Sequence, residues 1–271
     1  MITSAEQAIT YLHNLFSHHL VAVVCVHRLV AEHGAAKSLW HNFLCSGFIL
    51  CNGDNWYFAT AGHCLKDLQK LRQRKDIECD LPFFLDSIAP NSKPHPDLQF
   101  NIDDRDVEFI DDDAMGIDLG LMRLNYLEVL AFKQSNRIPL TEDKWMAKPS
   151  NEIPSYFIAG ATNEGSFVSE INGQPVVDIV TKTFRINPID AEPTIVPEIP
   201  WTSFKIPDNS LSDISGMSGG PIFAVQQDGT QVKYWVIALQ SQWNAPKRIA
   251  FTCRLPEFSR IFEEIERKRH H

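Results

Sequence analysis

Between residues 20 and 124 the apolar residues come in short runs rather than at helical spacing. HLVAVVCVHRLV, NFLCSGFILC and WYFATAGHC read as strands, and the Asn52-Gly53 pair inside NGDN predicts a hairpin between the second and third. A further run, GIDLGLMRL, closes this half. The second half repeats the style in SYFIAGA, VVDIVTKTFRI, PIFAV, VKYWVIALQSQW and RIAFTCRL. Short strands separated by turn residues, with few internal helices, predict an all-β protein built from barrels or sandwiches.

Helical spacing is concentrated at the two ends. From Ser4 to Phe16 the residues Ala8, Ile9, Leu12, Leu15 and Phe16 share one face, with Ser4 as a cap. Near the end, PEFSRIFEEIERKR puts Phe258, Ile261, Phe262 and Ile265 on one side and basic residues in its last turn. A short helix or helical loop is expected over Leu65–Ile77, followed by a polar region containing Pro90, Pro94 and Pro96. The polar, proline-containing stretch from Lys133 to Pro154 is the best linker candidate, and Pro188, Pro193, Pro197 and Pro200 mark an irregular loop.

A chain of 271 residues, 44% of them hydrophobic, buries a substantial core in one large or two small domains. Its formal net charge of -9 supplies no basic field for phosphate backbones, so proteins or peptides are the expected partners and nucleic acid is not. The apolar run Leu20–Val26 is too short to span a bilayer. It follows His18 and His19 rather than a basic region, and no cleavage site comes after it. The expectation is a cytoplasmic protein with no membrane partner, and its six cysteines reduced.

The stretch SGMSGGPIF sets Ser218 among glycines just before an apolar strand, which predicts a tight, backbone-rich loop presenting that serine. An alcohol is a weak nucleophile near neutral pH. A catalytic serine therefore needs a base in reach, a group orienting the base, and donors for the developing oxyanion. FATAGHCL offers His63 and GIDLGLMRL offers Asp118. Taken singly, Ser218 is a turn residue, His63 a structural histidine and Asp118 a strand-edge carboxylate; their joint occurrence in apolar strand contexts favours chemistry.

These segments resemble the three signatures of the chymotrypsin/trypsin-like serine protease family. TAGHC is similar to that family's T/S-A-A-H-C, DLGLMRL to D-I-A-L-L-x-L and GMSGGP to G-D/N-S-G-G-P, in the same His, Asp, Ser order. CSGFIL resembles the strand preceding the histidine, VIALQS the segment aligning substrate backbone, and RIAFTCRL the last strand before the C-terminal helix. The resemblance implies two antiparallel six-stranded β-barrels with a substrate cleft between them, plus an extra N-terminal helix and a C-terminal helix. The corresponding division is an extension over 1–19, a barrel bearing His63 and Asp118 over 20–135, a barrel bearing Ser218 over 136–255, and a helix and tail over 256–271.

By that resemblance Ser218 is the nucleophile, His63 the general base and Asp118 its orienting group. The N–H groups of Gly216 and Ser218 form the oxyanion hole. Ser212 and Asp213 approach the primary specificity pocket, with Ser241, Gln242 and Trp243 on another side. The implied protein is a serine endopeptidase working through an acyl-enzyme, with no cofactor and no metal, resembling bacterial or intracellular members. Met217 stands where trypsin has an aspartate that pairs with its new N-terminus, and no I-V-G-G-like sequence occurs. A site formed without cleavage, or on binding of a regulatory protein, is the expectation. The segment after Ser218 is taken up by strands and helix, which leaves no room for a PDZ domain. The rival reading is a protease-fold binding module without turnover.

The resemblance also aligns Cys45 and Cys64 with a family disulfide, which the reduced compartment disfavours. Cys25, Cys51, Cys79 and Cys253 read as small core or surface residues. His13, His18 and His19 lack metal-site spacing and read as surface or helix-end histidines. DDRDVEFIDDD lacks the glycine and glutamate of an EF-hand and is expected to be a solvated loop. LKDLQKLRQRKD reads as a solvated helix face.

Overall fold

The computed structural model describes residues 5–30, 39–85, 98–145, 154–172, 174–208, 210–229, 231–255, 262 and 267. An N-terminal helix α1 (Ala5–Ser17) precedes β1 (Leu20–Leu29), β2 (His41–Asn52) and β3 (Asn55–Thr60). Helix α2 (Gly62–Gln73) follows at once. Then come β4 (Ile77–Cys79), β5 (Phe83–Leu85), a 3-10 turn (Ile102–Asp104), β6 (Val107–Asp112) and β7 (Ile117–Arg123). Helices α3 (Tyr126–Gln134) and α4 (Glu142–Trp145) lead to β8 (Ser155–Ile171), β9 (Gln174–Ile189), β10 (Thr202–Lys205), β11 (Pro221–Asp228), β12 (Gln231–Asn244) and β13 (Ile249–Arg254).

The strands form two antiparallel sheets, in keeping with the all-β class that the apolar runs predict and with the two-part β architecture that the resemblance implies. The second is a closed six-stranded barrel in the order β10-β13-β12-β11-β8-β9. The first has seven strands in the order β4-β1-β2-β3-β7-β6, with β5 also on β1. The added strand arises because β1 is long enough for two short partners: β4 pairs with residues 27–29 and β5 with 22–24. The hairpin at Asn52-Gly53 is present, with Asn52 opposite Asn55 and Gly53 at φ 55°.

The burial of β2 and β7 is continuous rather than alternating. β2 and β7 are apolar on both faces because one face meets α2 or the first core and the other meets the neighbouring sheet. Phe16 of α1 stacks on Phe223 of β11 with ring centroids 3.8 Å apart, so the N-terminal helix closes over the barrel wall. Tyr234 meets Phe223 edge-on at 6.0 Å. Stacked and edge-to-face aromatic pairs of this kind contribute about 1 kcal/mol each beyond area burial.

Several expectations change. The strand carrying TAGHC ends at Thr60, so His63 sits in the first turn of α2 and not on a strand. That helix starts earlier than the expected Leu65 because Asp118 caps its N-terminus from another strand. DDRDVEFIDDD is the 3-10 turn and β6 rather than a loop, because its apolar residues Val107, Phe109 and Ile110 pack on the first core. The described part of the linker candidate is packed structure: α3 runs on to Gln134, and Ser135, Arg137, Leu140 and Trp145 are buried. Ser4, residues 146–153 and most of the expected C-terminal helix lie outside the described residues. No described helix is long and apolar enough to cross a membrane.

Candidate active site

The site is assembled where the two sheets meet. Helix α2 has Ala61 as its N-cap, which has no side-chain acceptor for the first-turn N–H groups. Asp118, on the neighbouring β7, supplies one: its Oδ1 accepts from the His63 backbone N–H at 2.9 Å. Its Oδ2 meets His63 Nδ1 at 2.8 Å. One carboxylate thus holds both the backbone and the ring of the same histidine, and the ring's Nε2 faces the other way.

Burial opposes ionisation of both partners, and the pair overcomes it. For His63, burial lowers the pKa, but the Asp118 hydrogen bond and charge carry it above the ordinary 6.5. For Asp118, burial raises the pKa, but the His63 ring, the Ser241 hydroxyl and the His63 N–H hold it below the ordinary 3.8. Ser241 Oγ donates to Asp118 Oδ2. Asp118 is therefore a buried, ionised carboxylate with three donors, while His63 is partly exposed.

The Ser218 loop is packed against the start of α2. The Ser46 N–H donates to the Ser218 carbonyl at 2.9 Å, and the Cys64 thiol approaches the same oxygen at 3.7 Å. That thiol lies 3.6 Å from His63 Nε2, so Ser218 and the free edge of the imidazole share a neighbour. The Ser218 hydroxyl itself is partly exposed and makes no hydrogen bond among the described residues.

The glycines around Ser218 have separate tasks. A Cβ on Gly219 would lie 2.0 Å from Thr60 Oγ1 and 2.4 Å from the Ser46 carbonyl, so only glycine lets this turn reach the first sheet. Gly216 has φ 93°, a backbone state that other residues rarely adopt. The N–H groups of Met217, Gly219 and Gly220 donate to Ile214, Gln240 and Met217 carbonyls at 3.0, 2.8 and 2.7 Å. Those of Gly216 and Ser218 have no acceptor among the described residues.

The expected specificity residues separate. The Ser241 hydroxyl points at Asp118 and joins the His–Asp arrangement. Ser212 and Asp213 are exposed, and their N–H groups are held by Glu164; Asp213 Oδ1 in turn accepts from Ser215 N and Oγ. Gln242 Nε2 donates to Asp113 Oδ1 at 2.8 Å, bridging the barrel to the turn after β6. Trp243 packs against the barrel core that contains Ile214 and Met217. Met217 is fully buried there.

Sequence reading missed Ser46, Thr60 and Glu164. Ser46 Oγ donates to the Gly216 carbonyl at 2.7 Å and accepts from the Ala161 N–H at 2.8 Å, joining the two sheets beside the loop. A serine inside an apolar strand was the available signal, because a buried hydroxyl needs partners. Cys45 and Cys64 are free buried thiols, and burial pushes the Cys64 thiol up. Cys25 and Cys79 are neighbours, with sulfurs 2.8 Å apart. Of the histidines, His19 is buried rather than on the surface. It contacts the Ile138 carbonyl and the Tyr234 hydroxyl, and burial pushes its pKa down to about 4.

No protein-family model matches the chain, and no curated protein matches it. Among solved structures it is similar to the thermostable serine protease AL20 from an extremophilic microorganism, at 14% identity and a TM-score of 0.47, covering 90% of this chain and 94% of that one. It is also similar to the protease Anisep from Arthrobacter nicotinovorans, at 14% identity and a TM-score of 0.44, covering 88% and 90%. A third similarity is to an inactive form of Rv3671c from M. tuberculosis H37Rv, at 12% identity and a TM-score of 0.47, covering 93% and 88%.

Proposed function

We propose that the protein is a trypsin-like serine endopeptidase in which Ser218 is the nucleophile, His63 the general base and Asp118 the group that orients it. The observation carrying this reading is the pattern of backbone donors around Ser218. The N–H groups of Gly216 and Ser218 are unengaged among the described residues, beside a histidine held by a buried carboxylate. Engaged neighbours on every side make these two donors a preorganised anion site rather than a disordered turn.

In this reading Ser218 Oγ attacks the scissile carbonyl carbon as His63 Nε2 takes its proton. The carbonyl oxygen becomes an oxyanion held by the N–H groups of Gly216 and Ser218. Collapse of that intermediate expels the amine, which receives the proton from His63 and leaves an acyl group on Ser218. Water then repeats the sequence: His63 takes its proton, the hydroxyl adds to the ester carbon, and collapse returns the proton to Ser218. Asp118 stays ionised throughout, and its bond to Nδ1 keeps the unprotonated Nε2 facing the serine.

Treatment with a fluorophosphonate followed by intact and peptide mass spectrometry tests the reading. The expected result is one adduct on Ser218 that is absent in Ser218→Ala and His63→Ala. No adduct on the folded wild-type protein overturns it.

A further inference from the structure

The two unengaged N–H groups face a common point only if the Ser215–Gly216 peptide keeps one orientation. In a trans peptide the C=O and N–H point in opposite directions, so whatever holds the Ser215 carbonyl aims the Gly216 N–H. That carbonyl accepts from the Asn163 N–H at 2.8 Å. The next residue, Glu164, reaches the other end of the same loop. Its Oε2 accepts from Ser212 N at 2.7 Å, Ser212 Oγ at 2.5 Å and Asp213 N at 3.1 Å. Consecutive backbone N–H groups converging on one carboxylate oxygen form an anion-binding nest, here filled from within the chain.

Asn163 and Glu164 can do this because β8 bulges. Its pairing with β9 shifts between Thr162, opposite Val180, and Phe167, opposite Asp178, so residues 163–166 stand out from the barrel. The bulge is braced internally: Glu164 N donates to Thr162 Oγ1 at 3.1 Å, and Ser166 Oγ accepts from Val180 N at 2.8 Å. Gly165 takes φ 86° within it. A cleft of about 470 Å³ lies beside the clamp, lined by Glu164, Lys182, Phe184 and Leu211 among others, so the carboxylate is held by its loop partners and not by burial.

We infer that Glu164 is a positioning residue: its carboxylate holds loop 212–215 so that the Gly216 N–H faces the oxyanion. The inference rests on the reading of Gly216 and Ser218 as oxyanion donors. It assigns to a side chain of β8 the task of keeping that pair of donors formed while Met217, fully buried in the barrel core, makes no ion pair. Removing the carboxylate frees the N–H groups of residues 212 and 213 and leaves the Ser215–Gly216 peptide held through the Asn163 N–H without the second anchor of its loop, so its orientation is kept less strictly.

The test compares wild type with Glu164→Ala and Glu164→Gln by steady-state hydrolysis of a peptide substrate, fluorophosphonate labelling and amide hydrogen exchange over residues 211–217. Glu164→Ala is expected to lower kcat by about a hundredfold, the scale of one lost oxyanion donor, with KM changed less than about threefold. Exchange across the loop rises, and Glu164→Gln, which keeps an acceptor oxygen, recovers part of the loss. An unchanged kcat in an active wild-type background overturns the inference, whatever exchange does. If wild type neither turns over nor labels, the protease reading fails separately, and exchange alone decides: unchanged protection in Glu164→Ala overturns the clamp, and faster exchange supports it.

Discussion

The Ser241 hydroxyl, on a barrel strand, donates to the Asp118 carboxylate on the first sheet. The bond crosses the seam between the two sheets and ends on the oxygen that also receives His63 Nδ1. A single acceptor thereby ties the orientation of the imidazole to the docking of the barrel. Replacing Ser241 by Ala is expected to destabilise the fold by about 2 kcal/mol, the usual worth of a hydrogen bond to a buried charge. Urea denaturation with parallel kinetics checks this; kcat/KM should fall with stability, because both depend on the same oxygen.

Asp118→Asn preserves the shape but reverses one hydrogen-bond role, since an amide nitrogen cannot accept from the histidine. In the proposed mechanism kcat falls by about 10⁴-fold, with the wrong tautomer facing Ser218. The fold pays little in comparison, so circular dichroism and turnover should separate. A variant retaining more than a tenth of wild-type kcat contradicts the assigned role.

The pH dependence has a defined sign. The folded pKa of His63 lies above its ordinary 6.5, burial being outweighed by Asp118. In the proposed mechanism the base must be neutral to act, so kcat/KM rises with pH through a midpoint above 6.5. Stability runs the other way: the protonated His63–Asp118 pair contributes below pH 6.5, and that contribution is lost as pH rises through the folded pKa. A pH–rate profile and pH-dependent melting, on the same sample, check both limbs.

Gly219→Ala probes the closest approach of the serine loop to the first sheet. The added Cβ meets Thr60 Oγ1, the Ser46 carbonyl and the Ala61 N within 2.7 Å, at a φ of 82°. The loop has to move away from α2, with a cost of about 3 kcal/mol or more and loss of fluorophosphonate labelling. Thermal melting and mass spectrometry measure the two effects. Gly229→Ala is the control: its φ is also positive, but nothing lies within 4 Å of its Cβ.

Met217→Asp tests whether the buried position tolerates the acid that trypsin carries. The side chain sits among Ile214, Ile222 and Leu211, with no cation among these neighbours. An unpaired carboxylate there is expected to cost more than about 3 kcal/mol and to leave little folded protein at neutral pH. Recovery of the folded state at acid pH, where the group is neutral, is the accompanying expectation and is read by tryptophan fluorescence.

Apolar runs, the NGDN turn and the three segments around His63, Asp118 and Ser218 were legible in the sequence because each signal is local. Continuous apolar runs and turn chemistry leave marks within a few residues. The start of α2 was not legible, because its capping acceptor is Asp118, far along the chain and on another strand. The hydrogen-bond partners of Ser241 and Ser212 were not legible either. Ser241 and Ser212 are polar residues beside loops, and nothing adjacent distinguishes one that meets a buried aspartate from one that meets Glu164.

By itself the sequence determined the β class, the N-terminal helix, the order of the candidate catalytic groups and the glycine-bounded loop, all of which follow from side-chain pattern and backbone freedom at neighbouring positions. Tertiary structure alone decided that β1 carries two short partners, that one carboxylate holds both N–H and ring of His63, and that a bulge on β8 delivers Glu164 to the serine loop. These depend on sheet closure and register. The bond between residues 164 and 212, 48 positions apart, forms only once the barrel has closed, and the one between residues 118 and 241, 123 apart, only once the barrel lies against the first sheet.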